Sequence, residues 1–267
     1  DGGGVLPNID TDPNTRTLTF NVASINDPPV GTPPATPITV VEDGAYTLQE
    51  SDFGFTDPSD TPPNAFNSVR INSILANGTL TSGGTTQGPG SIVSLAAIQA
   101  QQLVFRPDGN ANGTGFGFTF QVQDNGGNSP SDTDTTPRTM GFTVTSINDP
   151  PVGQGQSRTI NEDGIFTFAA TDFPFTDAEN DALQTVRITT LPTAGTLKFN
   201  NGAVAQGDEI AQANIGQLTF QPAANANGAP YGRFTFQLRD VGGVANGGID
   251  LDPSPKTFSF NVNSVND

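Results

Sequence analysis

The sequence predicts an all-β protein, built as tandem seven-stranded Greek-key β-sandwiches in an elongated array. Three observations predict it. "SINDPPVG" at 24–31 recurs verbatim at 146–153, and the chain closes on "SVND" at 264–267. Apolar and polar residues alternate with a period of two, the pattern of a half-buried strand. Turn signals such as "EDG", "DPSDTPP", "PDGNANG" and "DNGGNSP" break the chain every eight to fifteen residues. That spacing suits about seven strands in a two-sheet sandwich of about 100 residues.

The recurrence extends along the whole chain. "VEDGAYTL" (41–48) returns as "NEDGIFTF" (161–168), and "SDFGFTDPSD" (51–60) as "TDFPFTDAEN" (171–180). "SVRINSI" (68–74) returns as "TVRITTL" (185–191), and "LVFRPDGNANG" (103–113) as "LTFQPAANANG" (218–228). "FTFQVQDNGG" (118–127) returns as "FTFQLRDVGG" (234–243). Two full repeats therefore cover 31–149 and 150–267. Residues 1–30 match the closing strand and linker of a preceding repeat.

Within a repeat the strands follow in order. "PITVV" (37–41) is the first strand, and "EDG" turns it into "YTLQ" (46–49). The loop "DFGFTDPSD" leads to "VRINSI" (69–74). "LVF" (103–105) enters the loop "PDGNANG", which leads to "FTFQVQ" (118–123). The loop from "DNGG" to "SDTD" then precedes the last strand, which runs down to "INDPP". Leu18, Phe20 and Val22, then Phe118, Phe120 and Val122, then Phe258, Phe260 and Val262 each place their apolar side inward. Only "SLAAIQAQQ" (94–102) and "EIAQANIG" (209–216) read as short helical turns.

Composition excludes several classes. Ten basic residues stand against 27 acidic ones, for a net charge of −17. Nucleic-acid binding needs the opposite balance, and anionic lipid is disfavoured for the same reason. With no cysteine and no histidine, disulfides, thiolate or zinc chemistry and a histidine base are excluded. No apolar run approaches the length of a membrane span, so no membrane insertion is expected in this segment. A catalytic role is not expected: no serine has a histidine base, and two tyrosines without tryptophan give little platform for a sugar.

Strand bookkeeping places carboxylates at the joints between repeats. At 148–149 the repeat above brings Glu42 and the 107–113 loop with Asp108. The linker supplies Asn148 and Asp149, and the repeat below brings Asp177, Glu179, Asp181 and Asp240. By repetition, the 26–27 joint collects Asn26, Asp27, Asp57, Asp60 and Asp124, and Asp1 corresponds to Asp124 in the leading fragment. Two carboxylates about 4 Å apart repel by about 4 kcal/mol at an effective dielectric of 20. Such a cluster takes up protons or binds a cation, and oxygen-only ligands select Ca²⁺ over metals that need nitrogen or sulfur. A second acidic pattern recurs after the "DxGG" aspartate as Asp10 and Asp12, Asp132 and Asp134, and Asp250 and Asp252. It suggests a Ca²⁺ site inside the loop. Solvated turns are the competing reading of these segments.

The combination "D-x-G-G", strand, "N-D-x-P" resembles the ending of cadherin repeats. The longer pattern "F-x-P-x-x-N-x-N-G", "F-T-F-x-V-x-D-x-G-G", "I-N-D-P-P-V" resembles the tandem cadherin-like, Ig-like repeats of large bacterial surface proteins and adhesins. The resemblance covers both repeats and the leading fragment. It implies Ca²⁺ at inter-repeat joints, a stiff array and a place at the cell surface. Carried onto matching positions, it implies Glu42 and Glu162, Asp57 and Asp177, Asp124 and Asp240, and Asp27 and Asp149 as ligands. The sequence departs where Asp108 is replaced by Ala223. The expected function is a Ca²⁺-rigidified extracellular spacer whose partners are neighbouring repeats of the same chain. The alternative is a filament or surface layer, self-associating by strand addition through residues 1–27.

Overall fold

A computed structural model describes residues 14–22, 25–75, 77–127 and 131–266. The first repeat contains β1 (Ile38–Val41), β2 (Tyr46–Thr47), β3 (Phe66–Ile74), β4 (Gly78–Ser82), β5 (Thr85–Thr86), β6 (Ile92–Ser94), β7 (Leu103–Pro107), β8 (Gly113–Asp124) and β9 (Arg138–Thr145). One sheet orders them β1-β9-β8-β3-β6 and the other β2-β7-β4-β5. The first strand runs parallel to the last, Ile38 opposite Phe142, while β3 with β8 and β8 with β9 are antiparallel. First and last strands side by side, with β2 crossing to the other sheet, make a Greek-key sandwich.

The second repeat has the same plan in β10 (Val152–Gly153), β11 (Gln156–Asn161), β12 (Phe166–Thr167), β13 (Phe175–Thr176), β14 (Leu183–Thr190), β15 (Thr196–Phe199), β16 (Gly202–Ala203), β17 (Glu209–Ala211), β18 (Leu218–Gln221), β19 (Gly228–Asp240) and β20 (Lys256–Asn263). Its sheets are β11-β20-β19-β14-β17 and β12-β18-β15-β16, with the small pair β10-β13 beside them. Seven main strands per repeat are thus joined by short ones.

Alternation builds the cores. Phe118, Phe120 and Val122 of β8 and Phe258, Phe260 and Val262 of β20 are buried, while the residues between them are half-buried. Each fully buried phenylalanine contributes about 1.5–3 kcal/mol through the apolar surface it removes from water. Phe105 stacks on Phe142 across the first sandwich, ring centres 4.2 Å apart. Phe220 stacks on Phe260 at 3.9 Å in the second. The two cores are separate clusters, one spanning Val40 to Val144 and the other Phe168 to Phe260.

Two local expectations are corrected. Residues 209–216 begin as strand β17, with Ile210 buried opposite Val186 of β14, and only Gln212–Gln217 turns helically, as a 3₁₀ segment. Burial of Ile210 in the sheet outweighs the weak helical propensity of this stretch. The other short helix, α1 (Leu95–Gln99), forms where expected, capped by Ser94, whose hydroxyl accepts the Ala97 N–H at 3.2 Å. Leu18, Phe20 and Val22 do not turn an apolar face inward. They are 76%, 78% and 91% exposed, and residues 15–22 belong to no sheet. The described residues supply no facing layer for them.

Candidate metal centre

The linker between the repeats is held at every step. Glu42, buried at the β1–β2 turn, accepts the Ile147 N–H at 2.6 Å and the Ser146 hydroxyl at 2.9 Å through Oε1. Its Oε2 accepts the Asn112 amide at 3.3 Å. The Asn148 amide donates to the Ile249 carbonyl at 2.8 Å and to Asp240 Oδ1 at 3.1 Å. The Asp149 N–H donates to Glu179 Oε2 at 3.0 Å, and the Asp149 carboxylate accepts the Asn110 amide at 2.7 Å. Gly153 then donates its N–H to Asp252 Oδ2 at 2.9 Å.

Acidic oxygens converge around this thread. Asp177 Oδ1 accepts the Asp181 N–H at 2.7 Å. That bond folds the β13–β14 loop so that Asp177, Glu179 and Asp181 present oxygens within 4.8 Å of one another. Asp240, at the end of β19, uses Oδ1 for the Gly242 N–H at 2.9 Å and for Asn148. Asp177 Oδ2, Asp240 Oδ2 and Asn148 Oδ1 are buried with no hydrogen-bond partner. Asn110, Asp149 and Asp177 also line one surface pocket.

These surroundings shift the carboxyl groups. Burial, then the charges of Asp43, Glu42 and Asp177, push Asp149 above the ordinary carboxylate value. Burial is also the largest cause of the upward shifts of Asp240 and Glu179. The donated N–H bonds oppose it, and neighbouring acids add to it. A buried carboxylate oxygen without a donor is costly unless the group is protonated or meets a cation.

The 26–27 seam repeats this wiring. The Asn26 amide donates to the Ser131 carbonyl at 2.9 Å and to Asp124 Oδ1 at 3.3 Å. The Asp27 N–H donates to Asp60 Oδ2 at 3.0 Å. Asp57 Oδ2 accepts the Asn64 N–H at 2.6 Å, and Asp124 Oδ1 accepts the Gly126 N–H at 2.8 Å. Asp57 Oδ1 and Asp124 Oδ2 are buried without a partner. Burial, then the charges of Asp57 and Asp132, push Asp124 upward. Equal wiring makes Asp60 the counterpart of Glu179, and Asn64 that of Asp181. At the far end of the second repeat Glu162 accepts the Val265 N–H at 2.7 Å and the Asn227 amide at 3.3 Å, as Glu42 does with Ile147 and Asn112.

The paired acids after "DxGG" have hydrogen-bond or ion-pair partners of their own. Asp134 is buried and its carboxylate accepts the Gly31 and Thr136 N–H groups, each at 2.9 Å, and Arg138 Nε at 3.0 Å. Asp252 accepts the Gly153 and Ser254 N–H groups, each at 2.9 Å, and lies 3.4 Å from Lys256 Nζ. Asp132 accepts the Thr133 hydroxyl at 2.9 Å, and Asp250 pairs with Arg239 at 2.5 Å. Backbone and cationic donors already satisfy the second acid of each pair. That acid fastens the strand leaving the linker. Asp1, Asp10 and Asp12 lie outside the described residues.

Three participants escape the sequence reading. Asp43 faces Asp149 electrostatically. Asn110 reaches the Asp149 carboxylate, whereas the exposed Asp108 of the same loop accepts the Ala111 N–H through its backbone carbonyl, at 3.1 Å. Asn64 is the third. The recurrence of "NANG" at 110–113 and 225–228 was the available signal for the loop asparagines. Nothing comparable marks Asn64, since its counterpart is an aspartate.

Residues 148–252 match the family described as bacterial Ig domain. No curated protein matches the chain. Among solved structures, human mucin-like protocadherin EC1-2 is similar at 14% identity and a TM-score of 0.44, over 89% of this chain and 98% of that one. Human protocadherin-24 EC1-2 is similar at 17% identity and a TM-score of 0.38, over 72% of this chain and 82% of that one. Human CDH23 EC21-23 is similar at 11% identity and a TM-score of 0.39, over 85% and 72%. The family match begins at the linker asparagine and ends at the buried acid of the last loop, so the second repeat, from its linker to Asp252, is similar to a bacterial Ig domain.

Proposed function

We propose that this chain is a non-catalytic spacer segment of an extracellular bacterial surface protein, stiffened by Ca²⁺ at its repeat seams. The observation that carries this is the set of buried, unpartnered oxygens at the 148–149 seam: Asp177 Oδ2, Asp240 Oδ2 and Asn148 Oδ1. They stand among Glu179, Asp181 and Asp149, with no histidine or cysteine in the chain. An all-oxygen set fits a hard cation. Ca²⁺ accepts 6–8 oxygens in tolerant geometry, whereas Mg²⁺ demands a stricter octahedron. The ion would neutralise acids from the linker and the lower repeat, next to Glu42 and Asp43 of the upper one, and so oppose bending at the seam. A repeated unit with the same wiring at each seam adds length without adding a new site, which suits a stalk.

Calorimetric titration with CaCl₂ tests this. Saturable uptake in the range of about 10⁻⁴–10⁻³ M typical of extracellular modules is expected. Chelation should lower the melting temperature and increase inter-repeat bending in solution scattering. Asp149→Ala should loosen one seam and leave both sandwiches folded. Absence of saturable uptake at millimolar calcium would remove the proposal.

The exposed stripe Leu18, Phe20 and Val22 favours a second reading, in which this segment adds as a strand to a neighbouring molecule and the repeats assemble into a filament. Fibres that persist after deletion of residues 1–27 would dismiss it.

A further inference from the structure

At one position the two seams share a backbone hydrogen bond but carry side chains of different charge. Asp181 and Asn64 occupy it, each donating its N–H to the aspartate that begins its loop, Asp177 and Asp57. At the first seam the Asn64 amide donates to Asn26 Oδ1 and, at 3.0 Å, to Asp60 Oδ2. It thereby ties the linker to the acidic loop by hydrogen bonds alone. At the second seam the Asp181 carboxylate has no proton to give. Asn148 Oδ1, the counterpart of Asn26 Oδ1, is buried without a partner. A β-carbon built on Gly242 would lie 1.8 Å from Asn148 Oδ1 and 2.3 Å from Asp181 Oδ2, so these two acceptors border the same small space. Two acceptors in that position need a proton or a cation between them, whereas an acceptor and an amide do not.

We propose, on the calcium reading above, that residue 64 or 181 sets the affinity of its seam, so that Ca²⁺ loads the 148–149 seam first and the 26–27 seam later. The acidic cluster is not the only support. Asp240 at the second seam and Asp57 and Asp124 at the first are 1%, 5% and 2% exposed, and each aims an unpartnered oxygen into its site. Both seams therefore offer unsatisfied carboxylate oxygens to an ion. At this position they differ by one full negative charge and by the amide that closes the first without metal. Affinity of oxygen-ligand calcium sites rises with the charge of the ligand set.

The test compares calcium isotherms of the whole chain, titrated with CaCl₂, for the natural sequence, Asn64→Asp and Asp181→Asn. Two classes of site are expected, separated by about tenfold or more. Asn64→Asp should tighten the weaker class by about tenfold and leave the tighter one unchanged. Asp181→Asn should weaken the tighter class by a similar factor. Amide exchange supplies an independent readout: chelation should expose the Asp149 N–H more than the Asp27 N–H. Circular dichroism in chelator establishes that each variant is folded, and should Asp181→Asn unfold, Asn64→Asp decides alone. An unchanged weaker class in Asn64→Asp overturns this inference and leaves the calcium reading standing. Loss of saturable uptake in all three proteins overturns both.

Discussion

Gly242 shows how one residue type can be dictated by a neighbour 94 positions away (242 minus 148). The linker asparagine sits so close that no side chain fits beside it, and Gly126 is in the same relation to Asn26, with a built β-carbon 1.7 Å from Asn26 Oδ1. The first glycine of "DxGG" is there for approach and not for a positive φ, unlike Gly127 and Gly243. Gly242→Ala should push the Asn148 side chain off Asp240. A loss of about 1–3 kcal/mol in urea denaturation is expected from the overpacking, together with weaker calcium uptake at that seam alone. Unchanged stability and unchanged uptake would mean that the linker asparagine does not rest there.

At the scale of elements, the loop before the last strand of each repeat has two separate tasks. Its first acid, Asp124 or Asp240, faces the seam. Its last acid, Asp134 or Asp252, grips the short stretch that follows the linker, through Gly31 or Gly153. The second grip involves backbone N–H donors and a cationic side chain, so it is complete without metal. Removing a buried, charged acceptor with several donors leaves those donors unsatisfied, at a cost of about 2–3 kcal/mol. Asp252→Ala should therefore lower the unfolding free energy by about that amount, equally in calcium and in chelator. A loss seen only in calcium would return Asp252 to the ligand set. The lesson for reading the loop is physical. The position of Gly31 or Gly153, 103 and 99 residues distant, is what makes the last acid an anchor, and no local pattern around that acid shows it.

For the molecule as a whole, the net charge of −17 is not spread evenly but gathers where repeats meet. Asp124, Asp149, Glu179 and Asp240 all have folded pKa values raised above the ordinary ones. The sign follows from proton linkage: between the ordinary value, about 4, and the raised one, the folded state holds more protons than the unfolded state. Without calcium, stability contributed by these groups therefore falls as pH rises through that window, and acidification from neutral pH into it should raise the melting temperature. With calcium bound the trend should reverse, because protons compete for the same oxygens. Melting curves at several pH values, with calcium and with chelator, distinguish the two slopes. Parallel slopes would show that metal and proton do not share these carboxylates. Among the described residues no helix is long and apolar enough to cross a membrane.

By itself the sequence determined the sandwich, the repeat and the punctuation. Period-two alternation buries Phe118, Phe120 and Val122 on one face whatever lies elsewhere, and "INDPP" marks each linker by local turn chemistry. It also placed Asn148, Asp149, Asp177, Glu179, Asp181 and Asp240 in one neighbourhood, since strand direction alone decides which loops share an end. Only the tertiary structure decided which oxygen of each carboxylate is already taken, that Asn110 and not Asp108 touches Asp149, and that Asn64 replaces Asp181. Those outcomes depend on hydrogen-bond directions across contacts of up to about a hundred residues. A one-dimensional pattern holds the spacing of such groups but not the angle at which they meet.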